Sequence, residues 1–78
     1  MNSEQTYYGD VIWFNPKRGI GFILWEKDNI KQKDLFVHYS DLQMPGFKTL
    51  FKDQKVSFKL GANIHGIIKA INVEILRH

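Results

Sequence analysis

With 78 residues, 44% of them hydrophobic and 14% aromatic, the chain has the make-up of one small folded domain and no length for a second core. Its 11 Lys and Arg against 8 Asp and Glu give a formal charge of +3, a mild excess compatible with a polyanionic partner but not diagnostic of one. With no Cys there is no disulfide framework, thiol nucleophile or Cys-based zinc site, and His38, His65 and His78 are too scattered to form a metal-binding pair. No apolar run approaches the roughly 20 residues of a membrane span, and the opening MNSEQTYYGD lacks a basic-then-apolar leader. The expectation is a soluble, cytoplasmic, monomeric protein with no metal or other cofactor.

Runs rich in Val, Ile, Phe, Trp and Tyr, punctuated by Gly and Pro, predict five strands at about residues 6–15, 19–26, 34–39, 55–60 and 66–76. Asn15-Pro16-Lys17-Arg18-Gly19 has the turn chemistry of a tight reversal, so the first two strands form a hairpin. Asp28 to Lys33 reads as a polar turn joining the second strand to the third. Ser40 to Gln54 is a long connection, broken at Met44-Pro45-Gly46, with a short helical turn expected at Ser40-Asp41-Leu42. Five short strands and one long crossover favour a closed all-β barrel, because closure removes edges that a small open sheet could not protect.

Alternation assigns the strand faces. In the fourth predicted strand Val56, Phe58 and Leu60 face the core while Lys55, Ser57 and Lys59 face solvent. The fifth places Ile67, Ile71, Val73 and Ile75 on a largely apolar face and receives no binding role. The second and third strands are apolar on both faces: Gly21, Ile23, Leu35 and Val37 on one, Ile20, Phe22, Phe36 and His38 on the other. A barrel has one inside, so the second set is a candidate exposed patch of the kind that marks binding surfaces. The alternative is that the long connection covers it as a second small core. Flat rings beside Lys17 and Arg18 offer what unstacked bases need, π-faces for stacking and positive charge for phosphates.

Gly9-Asp10-Val11-Ile12-Trp13-Phe14-Asn15, Arg18-Gly19-Ile20-Gly21-Phe22-Ile23 and Asp34-Leu35-Phe36-Val37-His38 together resemble the cold-shock domain, as do Gly46-Phe47-Lys48-Thr49-Leu50, Gln54-Lys55-Val56-Ser57-Phe58 and Ala70-Ile71-Asn72-Val73 in the family's order. The resemblance covers about residues 6–76, leaving 1–5 as a tail. It implies a five-stranded antiparallel barrel of the oligonucleotide/oligosaccharide-binding (OB) type. It further implies non-catalytic, sequence-tolerant binding of single-stranded RNA or DNA on the face of the first three strands, with action as an ATP-independent RNA chaperone or a regulator of transcription or translation. Carried over by position, the stacking platform is Trp13, Phe22, Phe36, His38, Tyr39 and Phe47, with Phe14 supporting Trp13 at the edge. Lys17, Arg18 and Lys48 supply charge, and Asn15 and Asp34 are polar base contacts or turn anchors. Strict alternation would bury Trp13 with Val11, so its exposure requires a bend or bulge in the first strand.

The chain departs from the family's pattern in four places. Ile12 stands where a Lys is usual, and Ile20 where an aromatic is usual, so that one stacking site becomes an apolar contact. Arg18 replaces the common Lys, keeping the charge and adding a stackable plane. The stretch from Leu24 to Lys33 is longer than usual, and Trp25 within it reads as a hydrophobic lid on the barrel, with extension of the platform as the alternative. Lys27, Lys31 and Lys33 read as a solvated charged loop. The departures predict a weaker binder than a typical member. They also keep a second reading open, a protein-interaction barrel that has lost strong nucleic-acid binding. A nuclease built on Asp10, Asp34, Asp41 and His38 is the remaining alternative, disfavoured because these residues lie on different parts of the barrel.

Overall fold

The computed structural model describes residues 5–76; most of the expected tail, and His78, lie outside them. Six strands form, β1 (Tyr7–Asn15), β2 (Ile20–Lys27), β3 (Ile30–Lys31), β4 (Leu35–His38), β5 (Lys55–Ala62) and β6 (Ile68–Ile75), with one 3-10 turn at Tyr39–Asp41. Five of them close a ring: β1 pairs with β2 and β5, β6 with β5 and β4, and β4 with β2. The β4–β6 seam is parallel, at Phe36 opposite Lys69, because the long connection and β5 carry the chain back before β6 runs up beside β4. The all-β barrel of OB type is therefore the fold, closed by one parallel seam among otherwise antiparallel pairs.

Val11, Ile23, Leu35, Val37, Val56, Phe58, Ala70 and Val73 fill the interior. The long connection adds Leu42 and Leu50, both buried; Leu42 bridges to Val73 and Gln43 N–H donates to the Val73 carbonyl at 2.8 Å. This connection plugs the barrel rather than roofing the aromatic face. The half-buried Lys69 Nζ and Asp41 Oδ2, 2.9 Å apart, tie the 3-10 turn to β6.

Two details depart from simple alternation. β3 occupies part of the expected Asp28–Lys33 turn, because Asp28 and Asn29 take left-handed φ of 55° and 66° and let Lys27 pair directly with Ile30. Paired left-handed residues are the requirement of a two-residue hairpin turn, and Asp and Asn are among the side chains that tolerate it. In β6 the pairing with β5 slips between Ser57/Glu74 and Lys59/Ile71, and Asn72 sits at φ 50°. That bulge reverses the facing of everything before it. Ala70 and Val73 are the buried residues, whereas Ile67 is exposed and Ile71 lies over Gly61, so the single apolar face expected for Ile67, Ile71, Val73 and Ile75 does not exist.

Candidate nucleic-acid interface

The outward face of β1, β2 and β4 carries a run of aromatic rings. Its first member depends on a bulge: Val11 pairs with Ile23 and Trp13 with Phe22, leaving Ile12 as the extra residue. A bulge shifts the side-chain phase by one, so Val11 is 1% exposed and Trp13, two residues on, is 43% exposed. Gly21 makes the close approach of the two strands possible, since a Cβ there would collide with the Trp13 carbonyl and lie 2.8 Å from Phe14 Cδ1. Phe14 points to the other side and packs partly buried against the core.

From Trp13 the rings continue in contact as far as Phe36. The Trp13 and Phe22 centroids are 5.5 Å apart with the planes tilted by 57°. Phe22 lies directly opposite Phe36 across the β2–β4 ladder, with centroids 6.0 Å apart edge to face. Two residues along the same ladder Ile20 faces His38, and the His38 ring lies 4.5 Å from Tyr39. Ser40 N–H donates to His38 Nδ1 at 3.2 Å and caps the 3-10 turn, with the Ser40 hydroxyl 2.8 Å from the same nitrogen. That leaves Nε2 as the ring nitrogen directed away from the turn. Tyr39 is held by its own N–H to the Gly19 carbonyl at 2.8 Å. Its ring covers Gly19, which has φ +70° and no room for a Cβ. Phe47, 74% exposed, belongs to a second depression of about 340 Å³ shared with Pro16, Lys17, Gly19, Tyr39 and Lys48.

The polar candidates divide by role. Asn15 Oδ1 accepts from Lys17 N–H at 2.9 Å and Arg18 N–H at 3.1 Å, so its acceptor is committed to shaping the turn. This presents Lys17 and Arg18 exposed at one end of the platform, without an ion-pair partner among the described residues. Lys48 donates to the Leu42 and Met44 carbonyls at 3.3 and 3.4 Å and braces the long connection. Asp34 is exposed. Lys52, Lys55 and Lys69 are paired with Asp53, Asp10 and Asp41, whereas the cations of the two hairpin turns have no ion-pair partner among the described residues. Asp10 and Asp41 thus answer to different lysines. Among the described residues no three His, Cys, Asp or Glu cluster as metal ligands, and no helix is long and apolar enough to cross a membrane.

Trp25 is not part of the platform. It is 7% exposed and sits edge-on to Tyr7 and Phe58, at 5.3 and 5.7 Å, as the lid reading expects. Its indole N–H donates to the Lys33 carbonyl at 3.1 Å. Ile67 and Ile68, which the strand pattern gives no binding role, stand exposed beside Phe36. The Asn72 bulge that turns Ile67 outward has only a lone Asn in a strand as its signal.

A family model described as the 'Cold-shock' DNA-binding domain matches residues 7–76. The chain is 45% identical over 71 residues to a cold shock-like protein of Aquifex aeolicus (strain VF5), covering 91% of this chain and 96% of that one. It is 46% identical over 66 residues to cold shock protein CspC of Bacillus subtilis (strain 168), covering 85% and 92%. It is also similar to protein lin-28 of Caenorhabditis remanei, 42% identical over 60 residues that make up 77% of this chain but 27% of that longer protein.

Proposed function

The chain belongs to the cold-shock domain family and is a nucleic-acid-binding domain of that type, and from this premise we propose that its β1–β2–β4 face binds single-stranded RNA or DNA by base stacking. The observation that carries the reading is the unbroken ring sequence Trp13–Phe22–Phe36 beside two exposed cations, Lys17 and Arg18. Bases stack on Trp13, Phe22, Phe36 and His38 and continue toward Tyr39 and Phe47, while the guanidinium and ammonium groups meet phosphates. Stacking is sequence-tolerant because every base has a π-face. A duplex hides those faces, so the site selects single strands. Capturing unstacked bases shifts hairpins toward their open state by mass action, which is RNA chaperone activity without ATP.

The test is a titration followed by Trp13 fluorescence, using a short pyrimidine-rich single strand and the matching duplex at two salt concentrations. Quenching by the single strand alone is expected, with affinity falling as salt rises in proportion to the phosphates neutralised. Binding that ignores salt and strandedness would overturn the reading in favour of an apolar protein partner.

Ile20 lies in the ladder opposite His38, between the two ends of the platform, and contributes an apolar contact but no ring. Since a stacked base is worth roughly 1–3 kcal/mol, Ile20→Phe is expected to raise single-strand affinity about fivefold or more. An unchanged Kd in the same titration would show that no base passes over this position.

A further inference from the structure

β4 and β6 run parallel and pair at Phe36 and Lys69. Ahead of that pair the segments entering the two strands part around a groove of about 640 Å³, with Lys33, Asp34 and Leu35 on one side and Ile67 and Ile68 on the other. Ile67 and Ile68 are each 57% exposed, and Ile64 in the adjoining turn is 95% exposed. Both sides are held in place. Asn63 Oδ1 accepts from His65 and Ile67 N–H at 2.8 and 3.0 Å, and Gly66 N–H donates to the Asn63 carbonyl at 2.9 Å. Opposite, the Trp25 indole N–H donates to the Lys33 carbonyl at 3.1 Å. The fold thus keeps three isoleucines in water at fixed positions, and an exposed apolar cluster of this kind marks a contact with another surface. A preformed surface also loses little conformational freedom when it is covered.

The charges of the groove say what covers it. Lys33 and Asp34 are neighbours in sequence and both line the groove. Neither side chain has an ion-pair or hydrogen-bond partner among the described residues. A two-fold axis brings the same patch of two copies face to face, each residue meeting its counterpart's neighbour reciprocally. Lys33 of each copy then meets Asp34 of the other, and one rotation neutralises all four charges while the isoleucines close against each other. The chain's net charge of +3 does not oppose this, since charges more than about 8 Å apart are largely screened at physiological salt and the local pattern decides. A single strand matches this part of the surface less well. Branched aliphatic side chains offer no π-face, and the Asp34 carboxylate repels phosphate.

We infer that this groove is a self-association surface, the contact of a two-fold dimer, in place of the monomer expected from the sequence. Phe22 and Phe36 line the groove as well as the platform, so the dimer hides rings that would stack on bases. Dimer and bound strand are then mutually exclusive, each drawing on the free monomer. The contact itself is independent of the single-strand reading above, and only the competition rests on it.

Sedimentation equilibrium of the full chain from about 10 µM to about 1 mM covers the range of weak, transient contacts. A monomer–dimer equilibrium is expected. Ile67→Ser and the charge reversals Lys33→Asp and Asp34→Lys should each weaken it by about tenfold or more. The combined reversal Lys33→Asp/Asp34→Lys recreates both pairs with the signs exchanged, and should restore the dimer constant to within about threefold. All three positions are exposed, and the variants are compared at an unchanged melting transition; restoration by the double reversal is a result that misfolding does not mimic. A short all-thymine strand should convert the dimer to one-to-one complexes. A chain that stays monomeric throughout overturns the inference, and so does a dimer that ignores the single reversals or is not restored by the double one. Groove variants that leave a monomer unchanged but weaken single-strand binding assign the groove to nucleic acid, and overturn it too. A dimer that carries the strand without dissociating overturns the competition. Failure of every single strand to bind overturns the single-strand reading, while the charge exchange still decides the dimer.

Discussion

Replacing Phe22 and Phe36 together by alanine is expected to weaken single-strand binding by roughly a hundredfold or more, at about 1–3 kcal/mol per lost stacking ring. The two rings face each other across the β2–β4 ladder at the centre of the aromatic run, and both are half-buried. Truncating them removes the platform's middle without opening the interior, which is filled by Ile23, Leu35 and Val37 from the same strands' inward faces. The barrel should therefore remain folded, with a loss of about 1–2 kcal/mol typical of partly buried sites. Residual binding should keep its salt dependence, because Lys17 and Arg18 remain in place. Titration by calorimetry separates the outcomes. Affinity within twofold of the parent would move the contact surface away from β2 and β4 altogether.

The platform could be read from the sequence because it violates a rule the rest of the chain obeys. Strands of a barrel alternate apolar and polar residues, whereas β2 and β4 carry apolar or aromatic residues on both faces, a conflict with a closed core that is resolved by an exposed aromatic face. The exposure of Trp13 came from the family resemblance, against strict alternation, and the bulge that reconciles the two lies at Ile12. Two features resisted the reading. β3 is two residues long and depends on left-handed Asp28 and Asn29, a turn that composition describes only as polar. The outward facing of Ile67 depends on the Asn72 bulge downstream, and period-two counting carried back across an unseen insertion inverts every face before it. The polar candidates illustrate a third kind of limit. Asn15 and Lys48 have the chemistry of binding residues, but their side chains hold a turn and a loop in place, and only three-dimensional partners separate positioning from contact.

Phe58→Ala is expected to be the most damaging single substitution for folding, and its effect on binding should be entirely indirect. Phe58 is 1% exposed. Its ring lies 5.7 Å from Trp25 and 6.2 Å from Tyr7, and it faces the bulge of β6 where the ladder is already interrupted. Emptying such a site costs about 3–5 kcal/mol, against a total stability of roughly 4–12 kcal/mol for a domain of this length. A sizeable unfolded fraction should then be present at 37 °C, seen as a lower urea midpoint and as red-shifted emission from Trp25 as the lid comes off. Apparent affinity should fall only by the fraction folded. It should recover when temperature is lowered or a stabilising osmolyte is added, and saturating oligonucleotide should raise the melting temperature by mass action. Recovery of that kind is what the Phe22/Phe36 double variant must lack. If Phe58→Ala stays weak under conditions where circular dichroism shows it fully folded, the interior and the platform are coupled through β1 and β2, and the division of each strand into a packing face and a binding face no longer holds.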